Sequence, residues 1–192
     1  TQVKETGFVF QGLQGLIDPP RSEVKDAVAK CKEAGIRIFV ITGDHGMTAK
    51  AISRQVGIAT ETTEVITGLE MDNMSDSDLI VKLKHEIIFA RMTATNKMRI
   101  VDILMKQGEV VSVTGDGVND APALKRADIG IAMGISGTDV SKEASKMVLK
   151  DDNFATIIAA IEEGRTILEN IKIFLKYIFI GNIGKNCPNC PN

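Results

Sequence analysis

The 192 residues carry 23 Lys and Arg against 25 Asp and Glu, with 44% hydrophobic content and only 4% aromatics. A net charge of −2, with acids and bases interspersed, offers no basic face for nucleic acid and no lysine cluster for an anionic membrane surface. Three cysteines do not make a disulfide framework, the N-terminus does not resemble a secretory signal, and the length suits the core of one domain; a single domain in the cytosol is the expectation.

Residues 1–17 hold an apolar run broken by Gly7, Gly12 and Gly15, as in short strands or an entry segment. After Pro19 and Pro20, the apolar positions Val24, Ala27, Val28, Cys31 and Ala34 recur at helical spacing and stop at Gly35, which suits the residue just past a helix end. Cys31 lies on the apolar face and reads as a small core residue. Residues 36–41 form a buried-strand run that ends at Thr42, and a helix carrying Ala49, Ile52 and Val56 follows as far as Gly57. The polar stretch 60–78 contains D-S-D but lacks the glycine and spacing of a calcium loop, so a surface connection and a helix cap are expected there. Residues 87–90 predict a third strand, 98–105 a helix ending at Gly108, 110–113 a fourth strand and 129–133 a fifth. Alternating strands and helices imply an α/β fold: a Rossmann-like parallel sheet with helices on both faces.

From Asn153 onward, Phe154, Ile157, Ile158, Ile161, Ile167, Leu168, Ile171, Phe174, Leu175 and Ile178 keep helical spacing for about seven turns, which predicts one long amphipathic helix. The run 173–183 is shorter than the ~18 to 20 apolar residues of a membrane span and contains Lys176 and Asn182. Cys187 and Cys190 would be half a zinc site without a second pair, and a disordered tail is expected.

The most informative stretch is 110–125, V-V-S-V-T-G-D-G-V-N-D-A-P-A-L-K. A β-branched run feeds a loop of two glycines, two carboxylates and an amide, so Asp116 and Asp120 fall at the carboxyl end of a strand, where open α/β sheets bind ligands. Hard oxygen ligands on a Gly-rich turn suit Mg²⁺ with a phosphate. Asp120, with Pro122 in the following first turn, is equally a candidate helix N-cap.

T-G-D-G-V-N-D-A-P-A-L-K resembles the hinge motif of the P-type ATPases, ion pumps whose phosphorylation domain has the haloacid dehalogenase fold. I-D-P-P-R at 17–21, T-G-D at 42–44, A-R-M-T-A-T-N-K at 90–97 and D-D-N-F at 151–154 agree with it in the same order. The resemblance covers residues 12–174. It implies that Asp116 coordinates Mg²⁺, that Asn119 and Asp120 hold phosphate or metal-bound water, and that Lys97 neutralises phosphoryl charge. It implies further that Thr42 gives its hydroxyl and Gly43 its backbone N–H to the phosphoryl group, with Asp44, Arg21 and Arg91 near the hinge and the ATP. Taken alone, Thr42 reads equally as a helix cap and Lys97 as solvated surface.

Ala94 stands where the family usually has proline, which should loosen the turn presenting Lys97 modestly. No D-K-T-G-T run, the family's nucleophile motif, occurs among the 192 residues. The resemblance therefore implies a partial phosphorylation domain over 1–174, then a truncated stalk and tail over 175–192. Its partners would be the missing nucleophile strand and the nucleotide-binding, actuator and membrane domains of a parent pump, at whose cytosolic face it would lie. The calcium or sodium/potassium branch is favoured by D-D-N-F and the long following helix. Two other readings stay open: a stand-alone, non-catalytic binding or regulatory module of the same fold, and a soluble phosphatase of that fold.

Overall fold

The computed structural model describes residues 7–15 and 19–185, with side chains as far as 180. The Cys187–Cys190 tail lies outside the described residues, and residues 7–15 have no regular secondary structure.

Helix α1 (Glu23–Glu33) opens with Glu23 and Asp26 in its first turn and closes with Lys30 and Lys32 in its last, both favourable to the helix dipole. It ends where expected, at Gly35 with φ 71°, and buries Ala27, Val28 and Cys31. Burial raises the Cys31 thiol pKa, in keeping with an inert core side chain. Strand β1 is only Val40–Ile41, shorter than the apolar run that precedes Thr42, because it pairs with a single neighbour. Helix α2 (Gly46–Gln55) then turns its small residues inward: Ala49 and Ser53 are buried, whereas Ile52 is exposed.

The stretch 60–78 is more structured than a surface connection. It holds β2 (Glu64–Thr67), α3 (Gly68–Asp72) and the start of α4 (Asp76–Lys82). The helix starts are encoded locally. Thr67 and Glu70 form a reciprocal capping box, and the Ser75 hydroxyl accepts the Asp78 N–H. Strand β2 is masked in the sequence because only Ile66 of its four residues is buried. Strand β3 (Ile87–Ala90) is the opposite case, buried at all four positions as a central parallel strand requires. Helix α5 (Ala94–Lys106) starts four residues before the predicted helix, because Thr93 and Asn96 make a second capping box. That box holds the turn that proline would otherwise stiffen, with Ala94 as the first helical residue.

Strand β4 (Ser112–Gly115) is shifted two residues beyond the apolar run. Its register with β5 (Ile129–Met133) pairs Ser112 with Ile129 and Gly115 with Ala132, which leaves Val110 outside the sheet and exposed. Between them lie a 3-10 turn (Val118–Asp120) and α6 (Ala121–Arg126). Helix α7 (Asp139–Ala144) and β6 (Met147–Leu149) were not foreseen. Helix α8 (Phe154–Lys185) runs 32 residues, yet among its described side chains only Ile157 and Ile158 are buried, so the amphipathic face is used at the first two turns alone. Among the described residues no helix is long and apolar enough to cross a membrane.

The expected single sheet is two three-stranded parallel sheets, ordered β1-β3-β2 and β4-β5-β6. One apolar core joins them: Phe89, Ile87 and Ile66 of the first sheet and Val113 of the second pack with Ile100, Val101 and Leu104 of α5. On the opposite side Ala49 covers Ile88, and the base of α8 covers Ile131 and Leu149 through Ile157. Helix α1 docks on the same base through Ala27, Cys31 and Ile158. Strands β1 and β4 are thus edge strands, each paired on one side only, and their carboxyl ends open onto one cavity.

Candidate active site

The cavity, about 370 Å³, is lined by Ile41, Thr42, Gly43, Lys97, Thr114, Gly115, Asp116, Asp120 and Met133. Five of the nine predicted site residues meet there.

Thr42 follows β1 directly and is held by its main chain, its N–H donating to Phe89 O and its carbonyl accepting Met92 N–H, both at 2.9 Å. Its hydroxyl accepts the Asp44 N–H at 3.1 Å, while the N-cap of α2 is His45, so Thr42 is not the helix cap. The Gly43 N–H makes no hydrogen bond among the described residues. Lys97 lies in the first turn of α5, from which it reaches across the cavity to the 3-10 turn that follows β4. Its Nζ donates to Asp120 Oδ1 at 2.5 Å, and both side chains are mostly buried, 17% and 14% exposed.

Asp120 does not cap α6; the 3-10 turn before that helix leaves it without a capping bond. Its second oxygen instead accepts the Gly117 N–H at 3.1 Å. Asp120 is therefore committed on both oxygens, whereas the Asp116 carboxylate, at the mouth of the same cavity, has no hydrogen bond or ion pair among the described residues. A methyl group on Gly115 would run into Asp120, so this glycine is a requirement of close approach.

The remaining predicted residues stand apart. Asn119 is exposed on the 3-10 turn and does not line the cavity. Asp44 and Arg91 do not line the cavity; their main chains are joined by the Arg91 N–H donating to Asp44 O at 3.0 Å, and Arg91 holds a left-handed backbone at φ 52°. Strain of that kind in a non-glycine residue clusters at functional sites. Arg21 is elsewhere: its guanidinium donates to Asp151 O at 3.2 Å, where the start of α1 meets the start of α8. The packing of α1 on α8 holds it there, and it does not join Asp44.

Among the described residues no three His, Cys, Asp or Glu side chains gather in one place, so an all-protein cage is absent. One free carboxylate at Asp116 beside a second at Asp120 fits the other mode of Mg²⁺ binding, in which one or two carboxylates share the ion with phosphate oxygens and water. An ammonium, a hydroxyl and a free amide around the same space supply the donors that phosphate oxygens need.

Residues 4–128, more than half of the chain, match the haloacid dehalogenase-like hydrolases. The chain belongs to that family. Within it, this haloacid dehalogenase-like domain is 52% identical over 181 residues to calcium-transporting ATPase 1 of Bacillus cereus, covering 94% of this chain and 20% of the relative. It is 47% identical over 209 residues to the alpha-A subunit of a sodium/potassium-transporting ATPase of Artemia franciscana, covering 95% of this chain and 21% of the relative. Among solved structures, the catalytic domain of the CPx-ATPase CopB-B aligns with 74% of this chain and 45% of its own at TM-score 0.56 and 28% identity. The chain spans about a fifth of the length of the curated relatives it matches. The resemblance to P-type ATPases carried by T-G-D-G-V-N-D is borne out by these relatives.

Sequence reasoning missed the support beneath Asp116. Its main-chain carbonyl accepts the Thr138 N–H at 2.9 Å and lies 3.1 Å from the Ser141 hydroxyl, whose one proton it shares with Thr138 O. Nothing in the local pattern of G-T-D-V-S-K marks either residue, because the partner lies more than twenty positions away.

Proposed function

We propose that the chain is part of the phosphorylation domain of an ATP-driven cation pump of the calcium or sodium/potassium branch, contributing Mg²⁺- and phosphoryl-binding residues to aspartyl-phosphate formation and hydrolysis. The observation that carries this reading is the convergence of Thr42, Gly43, Lys97, Asp116 and Asp120 on one cavity at the carboxyl ends of two parallel sheets. Phosphoryl transfer asks the protein for little covalent chemistry and for much fixed charge, so an ammonium, oriented N–H and O–H donors and a free carboxylate in one place are the parts it needs.

In this reading the Thr42 hydroxyl and the Gly43 N–H bind phosphoryl oxygens. Lys97 offsets their charge and exchanges part of its bond to Asp120 for them. Asp116 would hold Mg²⁺, with Asp120 beside it and Asn119 reaching bound phosphate or water; the ion would supply charge neutralisation at the transferring group. Asp44 and Arg91, joined through their main chains, would face ATP, and Arg21, at the junction of α1 and α8, would sit near the hinge.

No D-K-T-G-T run occurs in the chain. The acceptor carboxylate would arrive on another strand, whose natural place is between the unpaired edges of β1 and β4. The nucleotide-binding, actuator and membrane domains of the pump would be its other partners, and its location the cytosolic face of the membrane. Without the acceptor, these 192 residues would form no phosphoenzyme.

The test is Asp116→Asn in a complete protein containing this chain. Phosphorylation by ATP and Mg²⁺ should be nearly abolished, because the ligand loses its charge where the cation must offset phosphate. Normal phosphorylation of the variant would remove Asp116 from the site.

A further inference from the structure

Ser141 is fully buried, one of four buried polar residues among those described. A hydroxyl in that position costs stability unless it is hydrogen-bonded, and alanine would fill nearly the same volume. The bonds it makes lead to the site. Its Oγ donates to Asp116 O at 3.1 Å or to Thr138 O at 2.8 Å, and accepts from the Thr138 hydroxyl at 3.3 Å. The Thr138 N–H reaches the same Asp116 carbonyl at 2.9 Å. The Thr138 N–H and, when its proton is turned from Thr138 O, the Ser141 hydroxyl thus converge on one carbonyl oxygen, that of the residue whose carboxylate has no partner among the described residues.

The far end of this support is anchored too. The loop from Gly134 to Thr138 is tied to the D-D-N-F segment: Asp152 accepts the Ile135 N–H at 3.0 Å and the Ser136 N–H at 2.7 Å, and Gly134 N–H donates to Leu149 O at 2.8 Å. Both ends of the loop are fixed, so the donors at Thr138 and Ser141 are held rather than free to follow Asp116.

We infer that Ser141 is a positioning residue for the metal and phosphoryl site, its hydroxyl orienting Asp116 through the main-chain carbonyl. This rests on the reading of Asp116 as a Mg²⁺ ligand. Fixing the carbonyl restricts the Asp116 ψ angle and so the direction of its Cα–Cβ bond, while the carboxylate itself has no partner among the described residues to hold it in place. Groups that orient a metal ligand in this manner typically contribute 10–100-fold in affinity. Because the Thr138 N–H remains when the hydroxyl is removed, the lower end applies here.

The test is Mn²⁺ binding to the full 192-residue chain in the presence of inorganic phosphate, followed by the loss of the free-ion electron paramagnetic resonance signal, for the wild type, Ser141→Ala, Ser141→Cys and Asp116→Asn. Ser141→Ala should weaken Mn²⁺ about tenfold at a temperature where the variant is fully folded. Ser141→Cys, of similar shape and a weaker donor, should fall between it and the wild type, and it reads the same effect should the alanine variant fail to fold. Wild-type affinity in both folded variants, or in the cysteine variant alone if only it folds, would overturn the inference while leaving the Mg²⁺ reading intact, provided Asp116→Asn abolishes binding. If Asp116→Asn binds as the wild type does, or the wild type does not bind, the metal reading fails and this inference with it.

Discussion

Gly115→Ala probes the tightest contact in the site. The added methyl would meet the Asp120 side chain at Cβ, with Cγ 2.8 Å and Oδ2 2.9 Å away, well inside van der Waals contact. Asp120 cannot retreat cheaply, because Lys97 holds one of its oxygens and the Gly117 N–H the other. Either β4 shifts against β5 or one of those charge-assisted bonds is given up, each of which lies at the upper end of the usual 1–3 kcal/mol for overpacking. We expect a loss of about 2–3 kcal/mol, or about 4–12 °C in melting temperature for a chain of this size, read by circular dichroism. The control is the same substitution in an Asp120→Gly background, where all three clashing atoms are gone and the further loss should fall within about 0.5 kcal/mol. An equal loss in both backgrounds would show that the glycine is required for some reason other than the approach of Asp120.

Lys97→Ala should cost about 1–3 kcal/mol, more than a surface change, because it leaves the mostly buried Asp120 carboxylate without its cation. Lys97→Met combined with Asp120→Asn should recover part of that loss, and single variants within 0.5 kcal/mol of the wild type would show that the pair is not formed. Asp152 provides a pH prediction: the Ile135 N–H first, then the Ser136 N–H, hold its carboxyl down at about 2, against about 3.9 in an unfolded chain. With the folded value depressed, its contribution is complete above about pH 4 and is lost as pH falls toward 2. Asp152→Asn, which tolerates the φ of 49° at this position, should lower the melting temperature at about pH 5 and converge on the wild type near about pH 2. A difference between the two proteins that does not change with pH would refute that role.

Much of this protein is legible in local sequence, and the legible parts share a cause. Helix α1 ends at Gly35, β3 and β5 occupy the predicted residues, and α3, α4 and α5 begin at Ser or Thr caps whose partners lie three residues away. These features depend on neighbours in the chain, as does T-G-D-G-V-N-D, whose glycines and carboxylates announce a ligand loop before any fold is known. Features that depend on distant pairing were not legible. Strand β2 exposes most of its residues and looks like a connection, because its place comes from the parallel register with β3; β4 slides two residues past its apolar run to match β5. The ambiguity at Asp120 was resolved in space and not in sequence: a 3-10 turn removes its capping geometry, and Lys97, 23 residues earlier, claims the oxygen instead. Composition could assign Asp116 and Asp120 to one loop, but only the tertiary structure decided that one carboxylate is committed to a lysine, that the other has no partner among the described residues, and that a buried serine from α7 lies within hydrogen-bond reach of its main-chain carbonyl.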